Sequence, residues 1–144
     1  MNRYPEIMIA PMRREITDLG ARELRKPEDV DRFLEEARDG TAMIVVNSVC
    51  GCAAGSMRPG LAGALRLAPL PDYFGTVFAG ADLEATERAR EHFAPYPPSS
   101  PAIALFRGGK LVFMLERRQI QGKPPEAIAG ALGEALRAHT TAVG

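Results

Sequence analysis

Five consecutive apolar residues, Ala42-Met43-Ile44-Val45-Val46, constrain this chain more than any other feature in it. A half-exposed strand alternates apolar and polar residues, whereas an unbroken run of strand length must be covered on both faces. The run is therefore expected to be a central strand, with other strands beside it and helices above and below. No pure apolar stretch of the chain exceeds five residues, far short of the ~20 that cross a bilayer, so no membrane partner is expected.

The rest of the chain arranges itself around that strand. Upstream, Pro11 suits the first turn of a helix that leaves at Gly20, and Ala21 to Leu24 reads as a short edge strand. Pro27 opens a second helix, with Glu28 and Asp29 in its first turn and Val30, Phe33, Leu34 and Ala37 at helical spacing, ending at Gly40. Downstream, Asn47 and Ser48 form an exit loop. Val49 onward reads as a helix to about Leu67, kinked by Pro59, which removes a backbone donor.

Phe74 to Ala79 is expected to be the next strand, and Asp82 to cap a helix carrying Thr86, Ala89 and Phe93 on one side. After the rigid loop Pro95-Tyr96-Pro97-Pro98-Ser99-Ser100-Pro101, Ile103 to Phe106 and Leu111 to Leu115 form a hairpin across Gly108-Gly109, which supplies the positive φ angles of a tight turn. Pro124 and Pro125 start a last helix with Ile128, Ala131, Leu132, Ala135 and Leu136 in one stripe. Crossover units give parallel neighbours and the hairpin antiparallel ones, so the fold class is α/β, a mixed central sheet flanked by helices on both faces.

At 144 residues, with 46% hydrophobic and 25% charged, the chain fits a single domain over 1–144. Its 18 basic and 18 acidic residues cancel, which gives no general attraction to nucleic acid. Met1-Asn2-Arg3-Tyr4-Pro5 leads into no signal-peptide hydrophobic region, so a cytoplasmic location is expected. Thiols are kept reduced there, and a cysteine pair is then more often catalytic or metal-binding than structural.

Cys50 and Cys52 fall just past the C-terminal end of the central strand, where a helix begins and where open α/β sheets place their sites. Unpaired N–H groups and the helix dipole favour a thiolate there, and thiolate is the attacking form in disulfide exchange. Cys50, nearer the helix mouth, is the expected attacker with a lowered pKa. Cys52 is the expected resolving residue, and Gly51 leaves the link free of a side chain and tolerant of unusual φ. Fully extended, the two Cα atoms stand about 7 Å apart, so an internal disulfide needs a bent link and is expected to be easily reduced.

Other readings are weaker on the residues alone. A reduced buried cysteine also behaves as a small hydrophobe. A structural zinc site wants four ligands, and two Cys with His92 and His139 show no ligand-like spacing, so no metal and no bound cofactor is expected. Pro101 at the start of a strand can be purely topological; a cis Ser100–Pro101 bond would also leave backbone groups free to pair with a substrate. Arg13 and Arg14 could place positive charge near a thiolate, although a solvated helix face is the simpler reading, and Arg58 is ambiguous in the same way.

Val45-Val46-Asn47-Ser48-Val49-Cys50-Gly51-Cys52-Ala53-Ala54-Gly55, with Arg58-Pro59 after it, resembles the signature of the bacilliredoxins. Pro11-Met12-Arg13-Arg14-Glu15, Val77-Phe78-Ala79-Gly80 and Pro98-Ser99-Ser100-Pro101 match as well, so the resemblance covers nearly the whole chain. It implies a thioredoxin-like fold with an extra N-terminal helix, a bacterial cytosolic setting, and removal of the low-molecular-weight thiol bacillithiol from mixed disulfides on proteins. Bacillithiol is then a co-substrate, and bacillithiolated or disulfide-containing proteins are the partners. Carried over by position, the resemblance makes Cys50 the attacking cysteine, Cys52 the second cysteine, and Pro101 the cis-proline facing them. Some relatives carry a further cysteine near the C-terminus; this sequence has none there. A disulfide isomerase, a general disulfide reductase and a non-enzymatic redox-sensing module are the alternatives.

Overall fold

The structure, a computed structural model, describes residues 4–140. Met1 to Arg3, weighed above as part of a leader, and the cysteine-free tail after Thr140 lie outside them. The central strand is as expected. β2 (Thr41–Asn47) is buried at every position and pairs with strands on both sides. The sheet has five strands in the order β1-β3-β2-β4-β5, where β1 is Arg22–Glu23, β3 Tyr73–Phe78, β4 Ala102–Arg107 and β5 Lys110–Leu115. β1, β3 and β2 run parallel, while β4 and β5 are antiparallel to their neighbours. The hairpin turns on Gly108 and Gly109, with φ of 59° and 80°, the left-handed values that spare only glycine a steric cost.

The twofold alternation of β2 sorts the core. Met43 and Val45 face one side, with Ile103 and Leu105 of β4, against Met57, Leu61, Leu132 and Leu136. Ala42, Ile44 and Val46 face the other, with Val30, Phe33, Ala85 and Phe93. The first layer holds α3 (Arg58–Leu67) and α6 (Pro125–Thr140); the second holds α2 (Pro27–Glu36) and α4 (Leu83–Glu91). Gly60 lets α3 and α6 approach closely, since a Cβ there would lie 2.5 Å from Ile128 Cβ and 2.9 Å from the Pro125 carbonyl oxygen. α1 (Glu6–Thr17) lies across the sheet end, its Ile9 packed with Phe78 and Ala81.

Several local expectations are corrected. Pro11 lies inside α1 rather than in its first turn, and Pro5 precedes the helix. The carbonyl that Pro11 leaves without a helical donor is that of Ile7, an exposed residue. The helix after β2 is not simply kinked at Pro59. It opens into one π-helical turn (Ala53–Met57), with Arg58 N–H donating to the Ala53 carbonyl, and α3 then restarts with Pro59 in its first turn, where no N–H is required. Asp82 occupies the N-cap position of α4 but makes no cap; Arg13 takes its carboxylate instead. Ala131 is exposed, outside the buried stripe of α6. A short helix α5 (Arg117–Ile120) was not expected; Gln119 accepts a hydrogen bond from the Glu116 N–H at its start. Ala94–Pro95 is cis, as is the anticipated Ser100–Pro101.

Candidate active site

β2 ends at Asn47, and four residues later the chain is helical. The turn between them is held by side chains. The Asn47 carboxamide oxygen accepts the Ser48 N–H at 2.9 Å, and Ser48 Oγ accepts the Cys50 N–H at 2.9 Å. Cys50 then takes the place of a helix N-cap. Its carbonyl accepts from Ala53 and Ala54 N–H at 2.9 and 3.2 Å, and its Sγ accepts the Cys52 N–H at 3.3 Å. An N-cap side chain normally accepts from the first-turn amides through oxygen; here sulfur does so. An N–H aimed at sulfur favours negative charge on that sulfur, and the helix N-terminus adds to it.

Cys50 and Cys52 are joined as a disulfide with Cα atoms 5.3 Å apart. The extended spacing is avoided because the link is already helical, and 5.3 Å lies within the normal range for a disulfide. Gly51 is exposed and does not use a left-handed φ. A Cβ there would meet nothing within 4 Å, so glycine leaves the approach open but is not demanded by the backbone. The two cysteines differ in surroundings. Cys52 packs against the core layer of α3 and α6, whereas Cys50 lines an open depression together with Ser48, Ala79, Gly80 and Ser100. Pro101 is buried at the entry to β4, whose Ala102 pairs with Val46 of β2. Sheet pairing thus brings Ser100 and Cys50, fifty positions apart in sequence, to one surface.

The arginines weighed as neighbours of the thiol fall differently. Arg13 is buried and bidentate to Asp82 at 2.8 and 3.0 Å, so it is neither a solvated residue nor a lining residue of the depression. Its guanidinium is held more firmly protonated than usual, because hydrogen bonds and charge from Asp82 and Glu6 outweigh its desolvation. Arg14 is exposed. Arg58 is buried, donating to the Asn47 carboxamide oxygen at 2.9 Å, the Ser48 carbonyl at 3.1 Å and Glu15 at 3.0 Å. It therefore braces the turn that carries Cys50 without being placed on the sulfur.

Arg58→Met is expected to cost about 2–3 kcal/mol, the scale of losing charged hydrogen bonds to buried acceptors; the bond to half-exposed Glu15 adds little. Urea denaturation measures that loss. Alkylation of reduced Cys50 in the folded variant measures whether the turn has moved, and a rate equal to the parent's would limit Arg58 to supporting the fold.

His92 lies 3.9 Å from Asp31 at the end of α4, and His139 is in the last turn of α6. Among the described residues no group of three or more His, Cys, Asp or Glu is placed to hold a metal, and no helix is long and apolar enough to cross a membrane. Two charged residues that line the depression were not singled out from sequence: Arg90, in the last turn of α4, and Arg117, after β5. Neither carries a local pattern that would mark it.

A family model described as disulphide isomerase matches residues 4–140. A bacilliredoxin from Salinibacter ruber is 50% identical over 96% of this chain and 81% of its own length. One from Cytophaga hutchinsonii is 52% identical over 88% of this chain and 92% of its own. Among solved structures, oxidized mitochondrial thioredoxin 3 from Saccharomyces cerevisiae superposes with a TM-score of 0.56 at 15% identity, covering 86% of this chain and 98% of that one. A mutant thioredoxin from Halobacterium salinarum gives 0.54 at 14% identity, covering 85% and 92%. The mixed sheet flanked by helices is thus a thioredoxin fold.

Proposed function

Since this chain belongs to the bacilliredoxin family and is a thiol–disulfide oxidoreductase, we propose that it removes bacillithiol from mixed disulfides on cytoplasmic proteins, with Cys50 attacking and Cys52 or a free thiol resolving. The observation that carries this reading is the asymmetry of the pair: Cys50 Sγ accepts a first-turn N–H beside an open depression, while Cys52 packs against the core. In the reduced protein the Cys50 thiolate attacks the bacillithiol sulfur of the mixed disulfide. The protein thiolate leaves and takes up a proton, and Cys50 carries the bacillithiol. A second bacillithiol attacking the bound bacillithiol sulfur leaves as the oxidised dimer and frees the Cys50 thiolate; alternatively, Cys52 attacks the Cys50 sulfur, expels bacillithiol and closes the Cys50–Cys52 disulfide. Gly51 leaves room for the incoming disulfide, and the backbone beside Ser100 and Pro101 borders its path.

The test is mass spectrometry of a bacillithiolated model protein incubated with the reduced chain. Loss of the bacillithiol mass from the substrate, with its transient appearance on Cys50, is the expected result. The description of the matching family model favours disulfide isomerisation as a second reading. Efficient reactivation of a scrambled-disulfide protein, with bacillithiolated protein left untouched, would establish that reading instead.

A further inference from the structure

The depression beside Cys50 has a volume of about 370 Å³, in the lower part of the ~300–1,000 Å³ range of small-molecule sites. Arg90 and Arg117 both line it, and no aspartate or glutamate does. Elsewhere the arginines are mostly neutralised: Arg13 by Asp82, Arg58 by Glu15, Arg88 by Asp31 and Arg118 by Glu116. Neither Arg90 nor Arg117 has a carboxylate within 4.0 Å among the described residues, and the Arg90 Nε is buried with no hydrogen-bond partner. Two guanidinium groups without a carboxylate of their own, lining one depression, leave positive charge there that an anionic ligand would neutralise. The position of Arg90 in the last turn of α4 suits the helix dipole, but that would be served equally by a side chain in water. A planar guanidinium fork matches a carboxylate.

We propose that this depression is a subsite for a carboxylate carried by the small thiol of the mixed disulfide, held by Arg90 and Arg117 while Cys50 attacks the sulfur beside it. The inference rests on the de-thiolating reading above and names the class of thiol, a carboxylated one. In the step it assists, the Cys50–thiol S–S bond forms, the protein–thiol S–S bond breaks, and the protein thiolate departs; no further oxidant or reductant takes part.

One model protein with a single cysteine in an uncharged setting, capped either with mercaptopropionate or with mercaptopropionamide, tests it. The caps differ only in the carboxylate, and an acidic substrate surface is excluded as the source of any preference. The ratio of de-capping rates, normalised to the same ratio for dithiothreitol, cancels the intrinsic reactivity of Cys50 and of each cap. The parent protein is expected to prefer the carboxylated cap by about tenfold, equivalent to about 1.4 kcal/mol. The Arg90→Gln/Arg117→Gln variant is expected to bring the ratio near one. Arg117→Gln alone, at an exposed position, covers the case in which the double variant does not fold, with the ratio falling about threefold. Removal of both caps at equal normalised rates by the parent would overturn the subsite while leaving the de-thiolating function standing, as would a preference that survives these substitutions. Removal of neither cap would overturn the subsite if bacillithiol is still removed from the same model protein, and the function itself if it is not.

Discussion

Cys50→Ala is expected to abolish disulfide exchange, and Cys52→Ala to leave attack intact while a mixed disulfide accumulates on Cys50. The asymmetry follows from the two environments. Cys50 occupies the N-cap position, its sulfur accepts the Cys52 N–H at 3.3 Å, and it opens onto the depression. Both the amide and the helix terminus stabilise the thiolate that attacks. Cys52 packs against the core layer of α3 and α6, so its sulfur meets Cys50 rather than an incoming disulfide. Removing Cys50 leaves one thiol in the sequence, in the less accessible of the two places.

The consequences of removing Cys52 depend on the exit route. If bacillithiol itself releases the adduct, Cys52→Ala keeps much of its de-thiolating activity when that thiol is abundant; if release runs through the internal disulfide, the variant stalls after one turnover. Each variant would be incubated with a bacillithiolated model protein, with and without added bacillithiol, and the masses on Cys50 and on the substrate read over time. Full activity in Cys50→Ala would reverse the assignment of roles.

The largest expected loss of stability belongs to Arg13. Its guanidinium is bidentate to buried Asp82, bonded to Glu6 at 2.9 Å, and stands 5.3 Å over the Phe78 ring. Arg13→Met removes the bidentate partner and leaves the buried Asp82 carboxylate with only the half-exposed Arg25, 3.6 Å away. Breaking a buried pair from one side costs about 3–5 kcal/mol, because an uncompensated charge remains. That is a large share of the ~5–15 kcal/mol by which a domain is usually stable. The companion variant Arg13→Met/Asp82→Leu is expected to recover most of the loss, since removing both charges removes the penalty. Urea denaturation of the two variants measures this. A double variant no more stable than Arg13→Met would mean that the ion pair itself, rather than the stranded charge, stabilises the packing of α1 against the start of α4.

The regular elements were legible because their signals are local. The unbroken run from Ala42 to Val46 requires cover on both faces, and β2 has it. Gly108-Gly109 fits a turn with two positive φ angles, and the hairpin uses both. Cys50-Gly51-Cys52 directly after a central strand places two sulfurs at a helix mouth, and the resemblance to bacilliredoxins added the fold. Local rules failed where a distant residue made a better offer. Asp82 has the chemistry of a cap, but a bidentate arginine from another helix outbids a backbone amide for its carboxylate. Pro59 reads as a kink until the preceding turn widens into a π turn and gives proline a first-turn position.

By itself, then, the sequence determined the central strand, the hairpin, the order of helices and strands apart from the short α5, and the placing of the cysteine pair, because each depends on the spacing of residues within one segment. The tertiary structure alone decided which charges meet. Arg13 is drawn to Asp82, Arg58 to the turn before Cys50, and Arg90 and Arg117 to the depression that Cys50 lines. Those pairings depend on how α1, α4 and the start of α5 are carried to one end of the sheet. A charged side chain has no periodicity that records its partner, and the same arginine in a helix reads alike whether it faces water, a carboxylate or a sulfur.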